Sequence, residues 1–256
     1  EGSRQYFMKN GETYKEGELL IQKDLAKTLR RIANDGHNGF YSGETAKRIV
    51  ADFKKHGGII TMEDLANYQA TESIIVNGSY RGHDIHSLWL PSFGAITIEF
   101  LQILEHFPMD ELQGANWIEV VNAALEKSYG DRWKQIGEDE KSIRNTLISK
   151  EYAKEQANEI KMGDLNDLGY IEPKSPESWD ASIGHTTHLS SADESGLMVA
   201  ITQSLGPNCG SKVASPDLGF LYAVTLGPYL GIYHPGERAR SHISPTILTK
   251  EGRPFL

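Results

Sequence analysis

Cysteine is almost absent from this chain: Cys209 stands alone among 256 residues, so no internal disulfide can form. No family-type cysteine motif surrounds it, which argues against a thiol nucleophile. The chain also has no run approaching the ~18 consecutive apolar residues that a membrane-spanning helix needs. Its start, Glu1-Gly2-Ser3-Arg4-Gln5, has no signal-peptide core, so this segment has no membrane partner and the compartment stays open between cytoplasm and periplasm or exterior. Positive charge is in short supply, with 26 Lys and Arg against 35 Asp and Glu and a formal net charge of -9. Phosphate binding is driven by clustered basic side chains, so nucleic acid is excluded as a general partner. The basic stretches are short, such as Lys54-Lys55, and Arg30-Arg31 reads as a solvated helix face. No repeat or low-complexity tract suggests a solenoid. What remains is an ordinary globular composition, 39% apolar and 24% charged, long enough for one substantial core or two modest ones.

The first half is dominated by helical periodicity. Glu16 to Asn34 carries Leu19, Leu20, Leu25, Leu29 and Ile32 at helical spacing and stops at Gly36. Ser42 is positioned to cap the next helix, which carries Ala46, Ile49, Val50 and Phe53 and ends at His56-Gly57-Gly58. Thr61-Met62-Glu63-Asp64 predicts a capping box opening a short helix to Tyr68. A strand pair is expected over Glu72 to Ser79 and Arg81 to Leu88, joined near Asn77-Gly78. Helices are then expected over Ala95 to His106, with Ile98, Phe100, Leu101 and Leu104 in the core, Ala115 to Trp133 and Ile148 to Ile160. From Gly163 to Ser182 the composition turns polar and rich in turn residues, as an exposed linker requires. Beyond it the period changes to strands: Thr187 to Ala192 and Leu197 to Ser204 around an Asp193-Glu194-Ser195-Gly196 turn, then Gly219 to Leu226 and Ser244 to Thr249. Helices before and strands after predict a layered α/β domain.

Chemistry concentrates at Ile183-Gly184-His185-Thr186-Thr187-His188-Leu189-Ser190. A threonine at the end of an exposed linker and the start of a buried strand is where a self-processing N-terminal nucleophile would sit. Cleavage of the His185–Thr186 bond would give Thr186 a free α-amine beside its hydroxyl, so one residue would supply both nucleophile and general base. In isolation Thr186-Thr187 also reads as plain β-branched strand. His185 and His188 have an H-x-x-H spacing, but an extended strand does not present them with tetrahedral geometry, which disfavours a metal site. His83 and His86 read as surface or packing residues.

Around this segment the chain resembles the γ-glutamyltransferases of the N-terminal nucleophile hydrolase superfamily, along nearly its whole length. Thr186-Thr187-His188 with the following strand pair is similar to their processing site and nucleophile. Phe40-Tyr41-Ser42-Gly43, Gly57-Gly58-Ile59-Ile60-Thr61-Met62-Glu63-Asp64-Leu65, Tyr80-Arg81-Gly82 and Leu90-Pro91-Ser92-Phe93-Gly94 resemble the large-subunit pattern. Ser241-His242-Ile243-Ser244-Pro245-Thr246 resembles the small-subunit substrate loop. The resemblance implies an α/β fold, a four-layer αββα sandwich of the N-terminal nucleophile hydrolase type. It implies residues 1–185 as the end of a large-subunit-like region, with 163–185 as processing linker, and residues 186–256 as the start of a small-subunit-like region, together one domain. The site residues it implies are Thr186 as nucleophile, His185 and Thr186 as processing site, Ser204 as a hydroxyl beside the nucleophile, and Ser241 and His242 as substrate contacts. The last two also read as a simple loop before a Ser-Pro turn.

The same resemblance exposes departures. The family's Asn-Asn-x-x-Asp-Asp-type run, whose second Asp pairs with the substrate ammonium, corresponds here to Tyr222-Ala223-Val224-Thr225-Leu226-Gly227, without a carboxylate. Gly206 stands where the family usually has Asn, Ser204 where it usually has Thr, and Ser241-His242 where it has paired serines. Only Pro228 to Arg240 separates that run from Ser241, which predicts a shorter lid. The Arg that grips the substrate carboxylate and the Gly-Gly oxyanion loop lie outside this chain, so a longer protein is expected. The implied activity is amide hydrolysis or acyl transfer, autocatalytically activated from a zymogen, of the kind found in glutathione metabolism but with altered acyl specificity. Its substrate would be a small-molecule amide or γ-glutamyl peptide, its partners the two subunit-like fragments of one precursor, and no metal or organic cofactor is called for. The alternatives are an acylase for non-glutamyl, dicarboxylic amides, or a catalytically silent, unprocessed member.

Overall fold

A computed structural model describes residues 2–132, 140–162, 186–207, 209–225, 233–239 and 241–255. The expected linker, 163–185, lies outside the described residues. The described chain divides into two compact units, one built from residues 2–72 and 204–225, the other from 73–132, 140–162, 186–203, 233–239 and 241–255. Each unit takes chain from both sides of residue 185.

The first unit opens with α1 (Gly2–Phe7) and a small ribbon, β1 (Met8–Lys9) and β2 (Glu12–Thr13), turned at Asn10 and Gly11, both at positive φ. α2 (Lys23–Asp35) starts at Lys23 rather than Glu16. The preceding residues are held in a turn: Gly17 sits at φ +83°, and the Glu18 carboxylate accepts from the Lys15 amide and pairs with Lys9. Leu19 is consequently 79% exposed. α2 turns Thr28 inward, where its hydroxyl donates to the Leu218 carbonyl at 2.8 Å. Arg31 donates to the hydroxyl of Thr28 on its own helix and to that of Thr45 further along the chain.

A short α3 (Asn38–Tyr41), not anticipated by the periodicity, precedes α4 (Gly43–Lys55). Ser42 occupies the N-cap of α4 with extended backbone, but its side chain makes no capping bond. α5 (Met62–Asn67) has the expected capping box, with the Thr61 hydroxyl accepting from the Asp64 amide and the Asp64 carboxylate from the Thr61 amide. Each such cap contributes about 1 kcal/mol. Tyr6, Ala46, Ile49, Ala214 and Leu218 are buried in this unit.

The strand expected over Gly219 to Leu226 does not form in the described residues; that stretch makes one isolated bridge, Ala214 to Leu221. Gly219, the first residue of the stretch, lies at positive φ, off the pleated conformation. Gly219 is also approached so closely by the main chain of α2 that a Cβ would stand 2.2 Å from the Leu25 nitrogen.

In the second unit β3 (Ile75–Tyr80) and β4 (His83–Leu88) pair antiparallel, with Tyr80 opposite His83. The turn falls at Arg81-Gly82, both at positive φ, and not at Asn77-Gly78. Gly78 belongs inside the strand because Ile98 presses on it: a Cβ there would lie 2.3 Å from the Ile98 side chain. α6 (Gly94–Leu104) covers one face of this hairpin, burying Ile98 with Val76, Ile85, Trp89 and Leu147. α7 (Gly114–Asp131), α8 (Glu140–Leu147) and α9 (Lys150–Met162) follow, and α7 and α9 pack on α6 around Ile103, Val120, Ala124, Ala157 and Ile160. Periodicity missed α8, a short helix between two longer ones.

β5 (Thr186–Ala192) and β6 (Met198–Ser204) form a two-stranded sheet of their own. β7 (Ile247–Lys250) and β8 (Arg253–Phe255) extend the first pair into a four-stranded sheet of order β3-β4-β7-β8, turning at Lys250-Glu251-Gly252. The expectation of a buried strand at Thr186 is corrected: every residue of β5 is exposed, because among the described residues it has a ladder partner on one side only.

Ile98 is fully buried at the junction of helix and sheet. Ile98→Ala is expected to cost about 2–5 kcal/mol, read as a fall in the denaturation midpoint of the full-length protein; a loss below about 1 kcal/mol would show that this contact is not part of the core.

Candidate active site

The β5–β6 hairpin positions the segment singled out by its chemistry. Thr186 is the first residue of β5 and is exposed. Two residues on, the His188 ring bonds through Nδ1 to the Thr202 hydroxyl at 2.6 Å and through Nε2 to the Ser190 hydroxyl at 3.0 Å. The hairpin turn is held by Asp193, whose carboxylate accepts from the amides of Ser195 and Leu197 and from the Ser195 hydroxyl. These bonds hold the Asp193 carboxyl below its ordinary pKa, the Ser195 hydroxyl contributing most. His185 lies outside the described residues, so its part in a processing site is not part of this geometry.

Ser204 closes β6, and its hydroxyl oxygen accepts from the Gly206 amide at 3.0 Å. Gly206 sits at φ +91°, and a Cβ on it would stand 2.0 Å from the Val224 carbonyl oxygen. The two stretches are joined by the Val224 amide donating to Leu205 at 2.7 Å. Just upstream, Tyr222 is anchored by its hydroxyl donating to Asp52 at 3.1 Å and by its ring packing on Phe53 and Phe220. Burial above all, with the Asp52 charge adding to it, pushes the Tyr222 phenol up to about 12. The remainder of the run, Leu226 and Gly227, and residues 228–232 of the short connection lie outside the described residues.

Ser241 and His242 belong to a strap sewn onto the loop before α6. The Ser241 amide donates to Pro91 at 2.9 Å, the Phe93 amide donates to Ile243 at 3.0 Å, and the Ser92 hydroxyl donates to the same Ile243 carbonyl. The Ser241 hydroxyl oxygen accepts from the Ile243 amide at 3.1 Å, which fixes its rotamer. Over a third of His242 is open to solvent, yet its ring stands 5.0 Å from Phe93 and 5.5 Å from Tyr129, with Nε2 3.4 Å from the Tyr129 hydroxyl. The Arg132 guanidinium lies over the Tyr129 ring at 3.4 Å. Burial first, and then the Arg132 charge, hold the His242 imidazole below its ordinary pKa.

Thus the structure joins Ser241 and His242 to a cluster of rings that the sequence reading did not assemble. Phe93 was signalled by the Leu90–Gly94 motif; Tyr129 and Arg132 carried no signal, since three residues apart at a helix end they read as ordinary surface. His83 packs its ring on Phe255 at 4.1 Å, and His86 bonds Asn77 and Thr249, so both have packing roles. Among the described residues no group of three His, Cys, Asp or Glu side chains could hold a metal ion.

The Gamma-glutamyltranspeptidase family model matches residues 1–256. The chain belongs to this family. It is 33% identical to the glutathione hydrolase proenzyme of Escherichia coli, covering 100% of this chain and 47% of that protein. It is 35% identical to the glutathione hydrolase proenzyme of a Pseudomonas species, covering 98% and 47%. Among solved structures it is similar to cephalosporin acylase from Bacillus halodurans, with a TM-score of 0.76 and 26% identity over 99% of this chain and 46% of that one. The chain therefore spans about half the length of the relatives it matches. Its fold is that of the family and its acylase neighbours, the N-terminal nucleophile hydrolase class of α/β protein with helices and antiparallel sheets.

A histidine whose pKa is lowered by folding destabilises the folded state on acidification, because the unfolded chain takes up its proton first. Stability should therefore fall as the pH drops through the ordinary histidine value, about 6.5, and stop falling on this account below the lowered folded value. Denaturation midpoints at about pH 7.5 and about pH 5.5 test this: the wild type should lose more on acidification than His242→Phe, which keeps the ring packing. Equal losses would remove the desolvated state of His242 from the account.

Proposed function

We propose that the protein is an amidohydrolase or acyltransferase that uses Thr186, freed by self-cleavage after His185, to form an acyl-enzyme with an acyl group other than an ordinary γ-glutamyl. The Thr186 Oγ attacks the amide carbonyl while its own α-amine takes the hydroxyl proton, directly or through water. Collapse of the tetrahedral intermediate breaks the C–N bond, and the proton goes to the leaving amine. Water or an acceptor amine then attacks the Thr186 ester, returning the hydroxyl. Ser204 is assigned a catalytic hydroxyl, and Ser241 and His242 are assigned as substrate contacts. The substrate class is a small-molecule amide, and the reaction needs no metal or organic cofactor. The proenzyme names of the relatives support activation by cleavage into two fragments.

The observation that carries the altered acyl pocket is the contact between Gly206 and Val224. Where the family usually has Asn, the Val224 carbonyl occupies the space a side chain would need. Residues 222–225, on the segment that would bring the ammonium-binding acid, carry none. A γ-glutamyl ammonium would thus enter without its charge partner, a loss on the order of 2–5 kcal/mol. In the second unit, the His242 ring beside Phe93 and Tyr129 stands where the family pattern has a small hydroxyl. Both changes favour an acyl group that lacks the α-ammonium, such as a dicarboxylic half-amide, and the cephalosporin acylase likeness supports that direction.

Three measurements on the full-length protein test this. Thr186→Ala should leave one uncut band on a denaturing gel where the wild type gives two; a wild type that stays uncut would make the protein a silent member. A glutaryl anilide, which lacks only the ammonium, should be turned over at least as well as the γ-glutamyl anilide, and the reverse order would overturn the altered pocket. Gly206→Asn should not restore γ-glutamyl turnover, and should destabilise the fold by roughly 1–3 kcal/mol through strain at a left-handed position.

A further inference from the structure

Tyr222 heads the stretch that stands where the family has its acidic run, and it is bonded through both its backbone and its side chain. Its amide donates to the Val213 carbonyl at 2.9 Å, and its carbonyl accepts from the Ser211 amide at 2.9 Å and from the Ser211 hydroxyl at 3.0 Å. Two residues on, the Val224 amide donates to the Leu205 carbonyl at 2.7 Å and the Val224 carbonyl faces Gly206. These bonds lace residues 222–224 to residues 205–213, directly after Ser204 at the end of β6. They join two irregular stretches to each other, and such backbone shifts easily unless something ties it to a regular element.

The Tyr222 side chain supplies a tie to a helix. Its hydroxyl donates to the Asp52 carboxylate of α4 at 3.1 Å, and its ring meets those of Phe53 and Phe220 edge-on, at 4.9 and 5.8 Å. Asp52 is itself held: its side chain is 11% exposed, and its other carboxylate oxygen stands 3.3 Å from His56 Nδ1. That nitrogen also bonds the Asp52 carbonyl oxygen at 2.9 Å, so it faces two acceptors and carries the ring proton. Phe53 is confined by the turn after α4, where the Gly58 amide donates to its carbonyl at 2.7 Å and a Cβ on Gly58 would stand 2.5 Å from its ring. Rings alone would pack nearly as well after a small slide. A hydroxyl bonded to a carboxylate is directional and charge-assisted, so it fixes where along α4 the stretch sits. The phenol, pushed up to about 12, keeps its proton at neutral pH and remains the donor.

We propose that Tyr222 is a positioning residue for acyl selectivity: its hydroxyl, held by Asp52, fixes residues 222–224 against Leu205 and Gly206. All of these residues, and Ser204 with them, belong to the first unit. This role rests on the reading of the Gly206–Val224 contact as the seat of the altered acyl pocket. A side chain that sets the place of such a contact acts on selectivity without touching the substrate, since a shift of about 1 Å in a positioning element can cost as much as 10²-fold.

The test compares Tyr222→Phe, Asp52→Ala, Asp52→Asn and the Tyr222→Phe/Asp52→Ala double variant in the full-length protein, on the glutaryl and γ-glutamyl anilides. The readout is the ratio of kcat/KM for the two substrates, which a smaller folded or processed fraction leaves unchanged. Tyr222→Phe keeps both ring contacts and should bring that ratio about tenfold closer to one, mainly through a higher KM for the glutaryl anilide. Asp52→Ala should do the same, and the double variant should be no worse than either single one, since both remove the same bond. Asp52→Asn still offers an oxygen to the phenol and should stay within about threefold of the wild type. An unchanged ratio in Tyr222→Phe, or an Asn variant as altered as the Ala one, would overturn the positioning role. A second measurement needs no activity: Gly206→Asn should lower the denaturation midpoint less in the Tyr222→Phe background than in the wild type, because the freed stretch can move off the new side chain. Equal losses would show that residue 222 does not hold the contact at residue 206, and would sink the role as surely. A wild type that prefers the γ-glutamyl anilide overturns the altered pocket instead, and the midpoints then decide the anchor on their own.

Discussion

Three hydrogen bonds between the loop before α6 and the strap after residue 240 fix that strap within the second unit. Pro91, Ser92 and Phe93 bond Ser241 and Ile243 across some 150 residues of chain. A loop with few apolar anchors acquires from this a fixed backbone, because each amide or hydroxyl used in the seam is one that would otherwise be satisfied by water. Downstream of the seam the hydroxyls of Ser87, Thr97, Ser244 and Thr246 form a connected set, with Ser87 also donating to Pro245. The strand that follows, β7, then enters the sheet beside β4. The ring cluster of Phe93, Tyr129 and His242 is tied to the same seam, since Phe93 is one of its bonded residues and His242 lies between two others.

Gly206 at positive φ and the main chain of Val224 form one close contact, and Tyr222, two residues earlier, is fixed by Asp52 and a ring pair. A side chain at residue 206 would therefore meet the main chain of residue 224.

Features governed by neighbours in sequence were legible without a structure. The Thr61–Asp64 capping box, the Gly36 and His56 helix ends, the Asp193–Gly196 turn and the Lys250–Gly252 turn are all decided within four or five residues. The errors fall where a distant residue decides. Asn77-Gly78 is the stronger turn dipeptide, but Ile98 packs on Gly78 and moves the turn to Arg81-Gly82. Gly219 to Leu226 has strand composition, but the approach of Leu25 and the positive φ of Gly219 take its start off the pleat. Of the candidate site, Thr186, Ser204, Ser241 and His242 were named through resemblance of motifs. Tyr129 and Arg132 were not, because an aromatic and a basic residue on a helix end acquire meaning only when a remote strap is laid against them.

The sheet order β3-β4-β7-β8 bears on what a nick at residue 185 would do. β4 precedes that point and β7 follows it, and the two exchange ladder bonds from Asp84 opposite Thr249 to His86 opposite Ile247. The other unit likewise combines residues 2–72 with 204–225. Severing the peptide would therefore remove a covalent tether while leaving the fragments interleaved within each unit, as in noncovalent fragment complementation. Dissociation would require unfolding rather than the parting of two surfaces, and heat or denaturant would separate the pieces only as fast as the sheet itself comes apart.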